Sequence, residues 1–165
     1  MSGEARPIGR LPANATRAIY GQILVTSMVG ALSEDSDIDA EYILVSVGAT
    51  MLVFWLAHVY AAAMGRGLET AQHVSWTELR RLAADEWPLV QATFPTAIVL
   101  ALGALGAYST ETAVTLAIVV GVVALFGWGL AIGRASGSSW TAALFGAAIS
   151  AGFGLVVVGL KAVVH

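Results

Sequence analysis

Residues 112–133 read TAVTLAIVVGVVALFGWGLAIG, a run of 22 residues with no Asp, Glu, Lys or Arg. A helix rises about 1.5 Å per residue, so about 20 residues cross a hydrocarbon core that is about 30 Å thick. Backbone N–H and C=O groups in lipid must be hydrogen-bonded within the segment, which makes such a run a helix. The stretch therefore predicts a transmembrane helix.

Four more uncharged runs lie along the chain, at residues 18–33, 42–65, 87–110 and 135–160. The first is short and extends backwards, with Arg17 snorkelling to the interface. We therefore predict an all-α polytopic membrane protein, a single domain over residues 1–165 with five transmembrane helices and a short interfacial amphipathic helix. The predicted spans are 14–33, 41–65, 87–108, 112–133 and 139–161, and residues 66–86 form a cytoplasmic loop.

The composition excludes several classes of protein. Apolar residues make up 58% of the chain and charged residues 12%, against about 25% charged in soluble domains. The high mean hydropathy of +0.79 excludes a disordered chain. A net charge of −3 gives nucleic acid no basic face, and zero cysteines exclude disulfides and thiolate metal sites. The lipid bilayer is the expected partner.

The basic residues predict the orientation in the membrane. Seven of the eight fall on one side of the predicted spans, namely Arg6, Arg10, Arg17, Arg66, Arg80, Arg81 and Arg134, with Lys161 as the exception. The positive-inside rule then places the N-terminus in the cytoplasm and the C-terminus outside, in a plasma (inner) membrane. Seven Arg against one Lys, with many Ala and Gly, favour a bacterial source.

The first span has a competing interpretation. An Arg-rich start followed by an apolar run that ends in Val29-Gly30-Ala31 is also typical of a secretory signal with a cleavage site. Gln22, Thr26 and Ser27 make the run polar for such a signal. Cleavage would leave four spans in the same orientation.

The cytoplasmic loop carries a helix start. Ser75 and Glu78 have capping-box spacing, and apolar residues recur at helical spacing after them. This predicts an amphipathic helix in the inner interface, or alternatively a helical linker packed on the bundle. Trp87 and Pro88 would then begin the third span at the interface.

Pro95 lies inside the third predicted span. It removes one backbone hydrogen bond and predicts a kink near Gln91. Such a kink is either a hinge beside a cavity or a purely structural bend.

Small residues follow a four-residue step along the last two spans. The step includes Gly121, Gly129 and Gly133 on the fourth span, and Ala142, Gly146, Ser150 and Gly154 on the fifth, with Ala143 and Ala147 beside them. Such faces let helix backbones approach closely. The two faces pack on each other, or one forms the seam of a homo-oligomer.

His58 is the one ionisable residue deep in a predicted span, and such residues are candidate functional sites. Polar residues at a similar depth suggest a cluster among the first three spans, and the candidate ligand or proton pathway comprises His58, Gln22, Thr26, Thr50, Tyr60, Gln91, Thr93 and Thr96. The alternative is a neutral histidine that bonds a neighbouring Thr or Gln and only holds helices together.

Signals for enzymes and metals are missing from the sequence. The acidic run at residues 34–41 lacks the Gly and Glu of a calcium loop, and it fits a solvated turn in which Asp39 caps the second helix. No zinc, P-loop or dinucleotide motif occurs, so we expect no catalytic residues, no metal and no cofactor.

These patterns leave three functional hypotheses. The first is a small transporter or channel subunit that handles a small solute or proton near His58, with Pro95 as its hinge. The second is a non-catalytic accessory or scaffold protein that acts by helix–helix association. The third, with the least support, is an intramembrane enzyme acting on lipid or quinone.

Overall fold

A computed structural model of the chain describes residues 11–33, 37–70 and 74–164. These residues form six helices and no strand: α1 (Leu11–Leu32), α2 (Ala40–Thr70), α3 (Trp76–Gln91), α4 (Phe94–Ala104), α5 (Thr110–Ala135) and α6 (Trp140–Val164). The predicted all-α class is confirmed. Several residues used above lie outside the described part of the chain, namely Arg6, Arg10, Glu34, Asp35 and the side chain of Lys161.

Among the described residues, two helices are long and apolar enough to cross a membrane, α2 over Ala40–Glu69 and α5 over Thr110–Ala135. The pair α3 and α4 makes a third span if the two helices count as one bent segment. α6 is apolar over Trp140–Val156, and α1 carries polar side chains. The apolar helices are compatible with membrane insertion; the five predicted spans are not confirmed.

The third predicted span is a broken helix. α3 ends at Gln91, α4 begins at Phe94, and their axes differ by 55°. Pro95 is the second residue of α4 and has no N–H to donate to the carbonyl of Gln91, which lies four residues earlier. The predicted kink near Gln91 is confirmed.

No helix begins at Trp87, the residue at which the sequence predicts the start of the third span. α3 runs without interruption from Trp76 through Trp87 and Pro88 to Gln91, so the amphipathic segment and the beginning of the predicted span are one helix. Proline has a helical φ and costs one hydrogen bond here, while the burial of Leu89 and Val90 directly after it favours continuing the helix.

The helix caps agree with the sequence patterns. The Ser75 hydroxyl accepts a hydrogen bond from the Glu78 backbone N–H at 3.3 Å, as the capping-box spacing predicts. The Asp39 carboxylate accepts from the Tyr42 N–H at 2.8 Å, which confirms Asp39 as the cap of α2. α3 packs on α1 and α2, which agrees with the alternative interpretation of this segment as a helical linker packed on the bundle.

The broken helix lies between α2 on one side and α1 and α5 on the other. α3 contacts α1 and α2, while α4 contacts α2 and α5. α5 also packs against α1 and α6, so it is central to the bundle. The apolar core is formed by buried side chains from all six helices, including Val25, Ile43, Leu89, Leu100, Leu125 and Ala147.

The small-residue faces of α5 and α6 meet within the chain. A Cβ at Gly129 would lie 2.8 Å from the Cα of Ala147, and one at Gly133 would lie 2.7 Å from the Cα of Ala143. Real Cβ atoms do not approach other atoms this closely, so only glycine fits at both positions. The contact on α6 runs through Ala143 and Ala147 and not through Ala142 and Gly146, and it then continues to Ser150 after a step of three residues where the sequence predicts only steps of four.

Two other predicted packing positions of α6 also face α5. Ser150 lies against Gly129, and a Cβ at Gly154 would lie 3.0 Å from Leu125 Cδ1. Gly146 has no neighbouring atom within 4 Å of its Cβ position.

Candidate functional site

Three polar side chains from two helices meet in the interior. Gln22 and Thr26 lie one turn apart at the middle of α1, and Thr96 lies in the first turn of α4. All three are fully buried, with 0% exposed surface. The Gln22 Nε2 donates to Thr96 Oγ1 at 3.2 Å and lies 3.4 Å from Thr26 Oγ1. We call this group the Gln22 cluster.

The hydrogen bonds fix the orientation of the Gln22 amide. The Thr26 hydroxyl donates to the Gln22 backbone carbonyl at 2.8 Å, so its oxygen acts as an acceptor towards the amide. The NH₂ group must therefore face Thr26, and Oε1 points away from it. Within the described residues, Oε1 is the one fully buried side-chain oxygen or nitrogen that has no partner.

An unpaired buried acceptor is costly. Leaving such a group without a donor costs about 1–3 kcal/mol, and most buried polar atoms in folded proteins avoid this cost by pairing. The Gln22 amide therefore has an unused capacity to accept one or two hydrogen bonds.

α5 packs directly against the Gln22 cluster. A Cβ at Gly121 would overlap Thr26 Oγ1 and lie 3.2 Å from Gln22 Nε2. Gly121 therefore packs against α1, whereas Gly129 and Gly133 on the same helix pack against α6. This close approach excludes any side chain at position 121.

The break between α3 and α4 adjoins the Gln22 cluster. Thr93 lies at the break, is buried and donates its hydroxyl to the Val90 carbonyl at 2.8 Å. Thr96 follows only three residues later. Irregular backbone at membrane depth occurs where it is buried in protein or lines a water-filled cavity. A change in the bend at Thr93 and Pro95 would move Thr96 relative to Gln22.

His58 lies outside the Gln22 cluster, in the groove between α2 and α1. Its Nδ1 is 2.8 Å from the Phe54 carbonyl, and its half-buried ring lies 5.8 Å from the Tyr20 ring, centroid to centroid. A carbonyl oxygen only accepts, so Nδ1 carries the proton, and Nε2 of the neutral ring is an acceptor. In the described part of the chain, no residue hydrogen-bonds to Nε2.

The remaining predicted pathway residues are dispersed. Tyr60 and Gln91 are exposed, Thr50 is half-buried on α2, and Thr93 is committed to the Val90 carbonyl. The structure therefore brings together Gln22, Thr26 and Thr96 from the predicted set.

The sequence analysis missed a largely buried ion pair. Arg17 Nε donates to Glu86 Oε2 at 2.9 Å, with 30% of the Arg17 side chain and 10% of the Glu86 side chain exposed. Arg17 thus pairs across to α3 and does not simply snorkel to the interface. The signal was present, because Glu86 lies four residues after Leu82 and three before Leu89, on the buried face of α3.

Aromatic side chains join α2 to α3 in the same region. The indole N–H of Trp55 donates to the Ala83 carbonyl at 3.0 Å, and the Trp55 and Trp87 rings meet edge to face at 5.6 Å. Among the described residues, there is no group of three or more His, Asp or Glu side chains that could hold a metal ion.

Comparisons with known proteins give no further guide to the chemistry of this site. No protein-family model, curated protein or solved structure matches the chain.

Proposed function

We propose that this chain is a small transporter or channel subunit, which binds and passes a small hydrogen-bond-donating solute or a proton at the Gln22 cluster. The observation that carries the proposal is the fully buried Gln22 Oε1 without a donor. A solute with an O–H or N–H group would supply the missing hydrogen bond. The amide and the two hydroxyls of the cluster are uncharged, which favours a small uncharged solute or a proton in transit.

The broken helix supplies the moving part in this proposal. Broken helices at midplane sites are a recurring feature of transporters. Here the break at Thr93 and Pro95 precedes Thr96 by one turn or less, so bending at the break changes the distance between Thr96 and Gln22. Pro95 is the proposed hinge.

The proposed membrane arrangement has five spans: α1, α2, the α3–α4 pair, α5 and α6. The antiparallel order of these spans would put the described basic residues at one end, namely Arg17, Arg66, Arg80, Arg81 and Arg134. The acidic residues Asp37, Asp39, Glu41 and Glu111 would fall at the other end. Exposed Trp76 and Trp140 accompany the basic end, as expected for an interface. We place that end in the cytoplasm of a bacterial cell and the C-terminus outside the plasma membrane.

The accessory or scaffold alternative has less support. It depends on small-residue faces that are free to associate with another helix. Gly129 and Gly133 are covered by α6 of the same chain, and Gly121 is covered by α1.

Flux through the purified protein in proteoliposomes tests the proposal. The assay would measure proton entry with an internal pH dye, and entry of water and small alcohols by light scattering. The test variant is Gln22→Leu, which keeps the approximate volume and removes the unpaired oxygen. It also removes the amide's hydrogen bond to Thr96, so its Tm is measured beside its flux to verify that it folds. The control is Ser27→Ala on the same helix, where the hydroxyl bonds only the Ile23 carbonyl at 2.7 Å.

We expect the flux of at least one of these solutes to fall more than tenfold in Gln22→Leu and to persist in Ser27→Ala. Unchanged flux in Gln22→Leu would remove the Gln22 cluster from the pathway. His58→Ala in the same assay decides whether the basic Nε2 of His58 belongs to that pathway.

A further inference from the structure

A polar cavity lies at the end of the molecule that carries the basic residues. It has a volume of about 260 Å³ and is located between the end of α2 and the start of α3. Its lining residues are Arg66, Ser75, Thr77, Glu78, Arg81 and Leu82. The cavity contains two guanidinium groups against one carboxylate, so its net charge is positive.

The two arginines differ in their partners. Arg66 donates to Glu78 Oε1 at 3.2 Å, and both side chains remain partly exposed. Arg81 is exposed and has no ion-pair partner among the residues that the structure describes. Its guanidinium therefore keeps its donors for an outside acceptor, and two parallel N–H groups match the geometry of phosphate oxygens.

Two hydroxyl groups add further donors to this cavity. The Ser75 oxygen accepts from the Glu78 backbone N–H, which leaves its own O–H able to donate. Thr77 lies on the same wall. Cationic and hydroxyl donors in one small cavity are the chemistry that recognises a phosphate group.

Large exposed apolar side chains at this end of the molecule indicate the kind of phosphate compound that binds. Trp76, between the lining residues Ser75 and Thr77, is 71% exposed, and Leu68, two residues after Arg66, is 86% exposed. Apolar side chains this exposed, beside a cationic cavity at the end of membrane helices, fit an amphiphile better than a free ion. Tryptophan in particular favours the level of lipid headgroups.

We propose that this cavity binds the headgroup phosphate of an anionic phospholipid, with Arg81 as its principal contact. Basic pockets beside membrane helices are suited to such headgroups. This inference concerns a site separate from the Gln22 cluster, so it stands or falls independently of the transport proposal.

Native mass spectrometry of the full chain in detergent, titrated with phosphatidylglycerol, tests the lipid site. The test variant is Arg81→Gln, and the control is Arg80→Gln, an exposed neighbour outside the cavity lining. We expect phosphatidylglycerol affinity to fall about fivefold in Arg81→Gln, the size expected for one basic residue near an anionic headgroup, and to change less than twofold in Arg80→Gln. Equal losses in the two variants would overturn the proposal, because they would show a diffuse charge effect.

A third variant should change the affinity for phosphatidylglycerol in the opposite direction, a result that misfolding would not produce. Glu78→Gln removes the one carboxylate among the lining residues of the cavity, so phosphatidylglycerol should bind more tightly; weaker binding would contradict the proposed site. Two further arms identify the ligand. Phosphatidylcholine should bind the wild type less tightly than phosphatidylglycerol, and equal affinity would refute recognition of an anionic lipid. Inorganic phosphate at the same molar concentration should not displace the lipid, and displacement would make free phosphate the ligand.

Discussion

Replacing Gly121 by alanine tests the packing around the Gln22 cluster. The new Cβ would overlap Thr26 Oγ1 and lie 3.2 Å from Gln22 Nε2. Forcing a methyl group into a packed interior costs about 1–3 kcal/mol. Displacing the Thr26 hydroxyl also weakens its 2.8 Å bond to the Gln22 carbonyl, worth about 1 kcal/mol. Alanine returns up to about 1 kcal/mol of helix propensity. The expected net loss is about 1–3 kcal/mol.

Gly127→Ala is the matched control on the same helix. No atom lies within 4 Å of a Cβ at that position, so the substitution should stabilise the chain by up to about 1 kcal/mol through propensity alone. The assay is thermal unfolding in detergent, followed by tryptophan fluorescence. For a chain of this length each kcal/mol shifts Tm by roughly 2–4 °C. A Tm of Gly121→Ala equal to or above that of Gly127→Ala would refute the reasoning about the Gln22 cluster.

Two further predictions concern the ion pair and the topology. Glu86→Gln should destabilise the chain by about 1–3 kcal/mol, which is less than for a fully buried pair because Arg17 stays partly solvated. The control Asp85→Asn changes an exposed neighbour and should cost under about 0.5 kcal/mol. Equal Tm values for the two variants would show that the ion pair does not stabilise the bundle. The chain has no cysteine, so a single introduced thiol reports its own side of the membrane. Glu111→Cys should react with an impermeant maleimide on intact cells, and Ser136→Cys should react only after permeabilisation. The reverse pattern would invert the proposed orientation.

Much of the helical framework follows from the sequence because charge is expensive in lipid. The uncharged runs mark the helices, Pro95 predicts the break, and Asp39 and Ser75 predict two caps. The continuation of α3 through Trp87 to Gln91 does not follow from the position of the charges. The charges of Glu86 and its neighbours are typical of a loop in the sequence. In the structure, however, the Glu86 carboxylate is paired with Arg17, which lies 69 residues earlier in the chain. Pairing between distant residues leaves no local pattern.

The sequence predicts the depth of the candidate site residues in the membrane, but not the helix faces on which they meet. Counting residues along the spans placed Gln22, Thr26 and Thr96 at one level, and the structure brings these three together. His58 and Tyr60 share a similar level but lie elsewhere, on α2. This helix is apolar over most of its circumference, so hydrophobic periodicity cannot tell which of its faces meets α1.

Access of water to the Gln22 amide bears directly on the proposed function, since water is the smallest hydrogen-bond donor that could reach Oε1. The measurement is water-edited solid-state NMR on the full chain in lipid bilayers, with ¹⁵N in the side chains of its three glutamines and of Asn14, and with the Gln22 signal assigned by its loss in Gln22→Leu. The Gln22 amide should receive magnetisation from water as quickly as the amide of exposed Asn14, which lies at the basic end of α1, although Gln22 itself has no exposed surface. If transfer to Gln22 is slow while transfer to Asn14 is fast, the cluster is a dry structural contact and the proposed solute site is wrong.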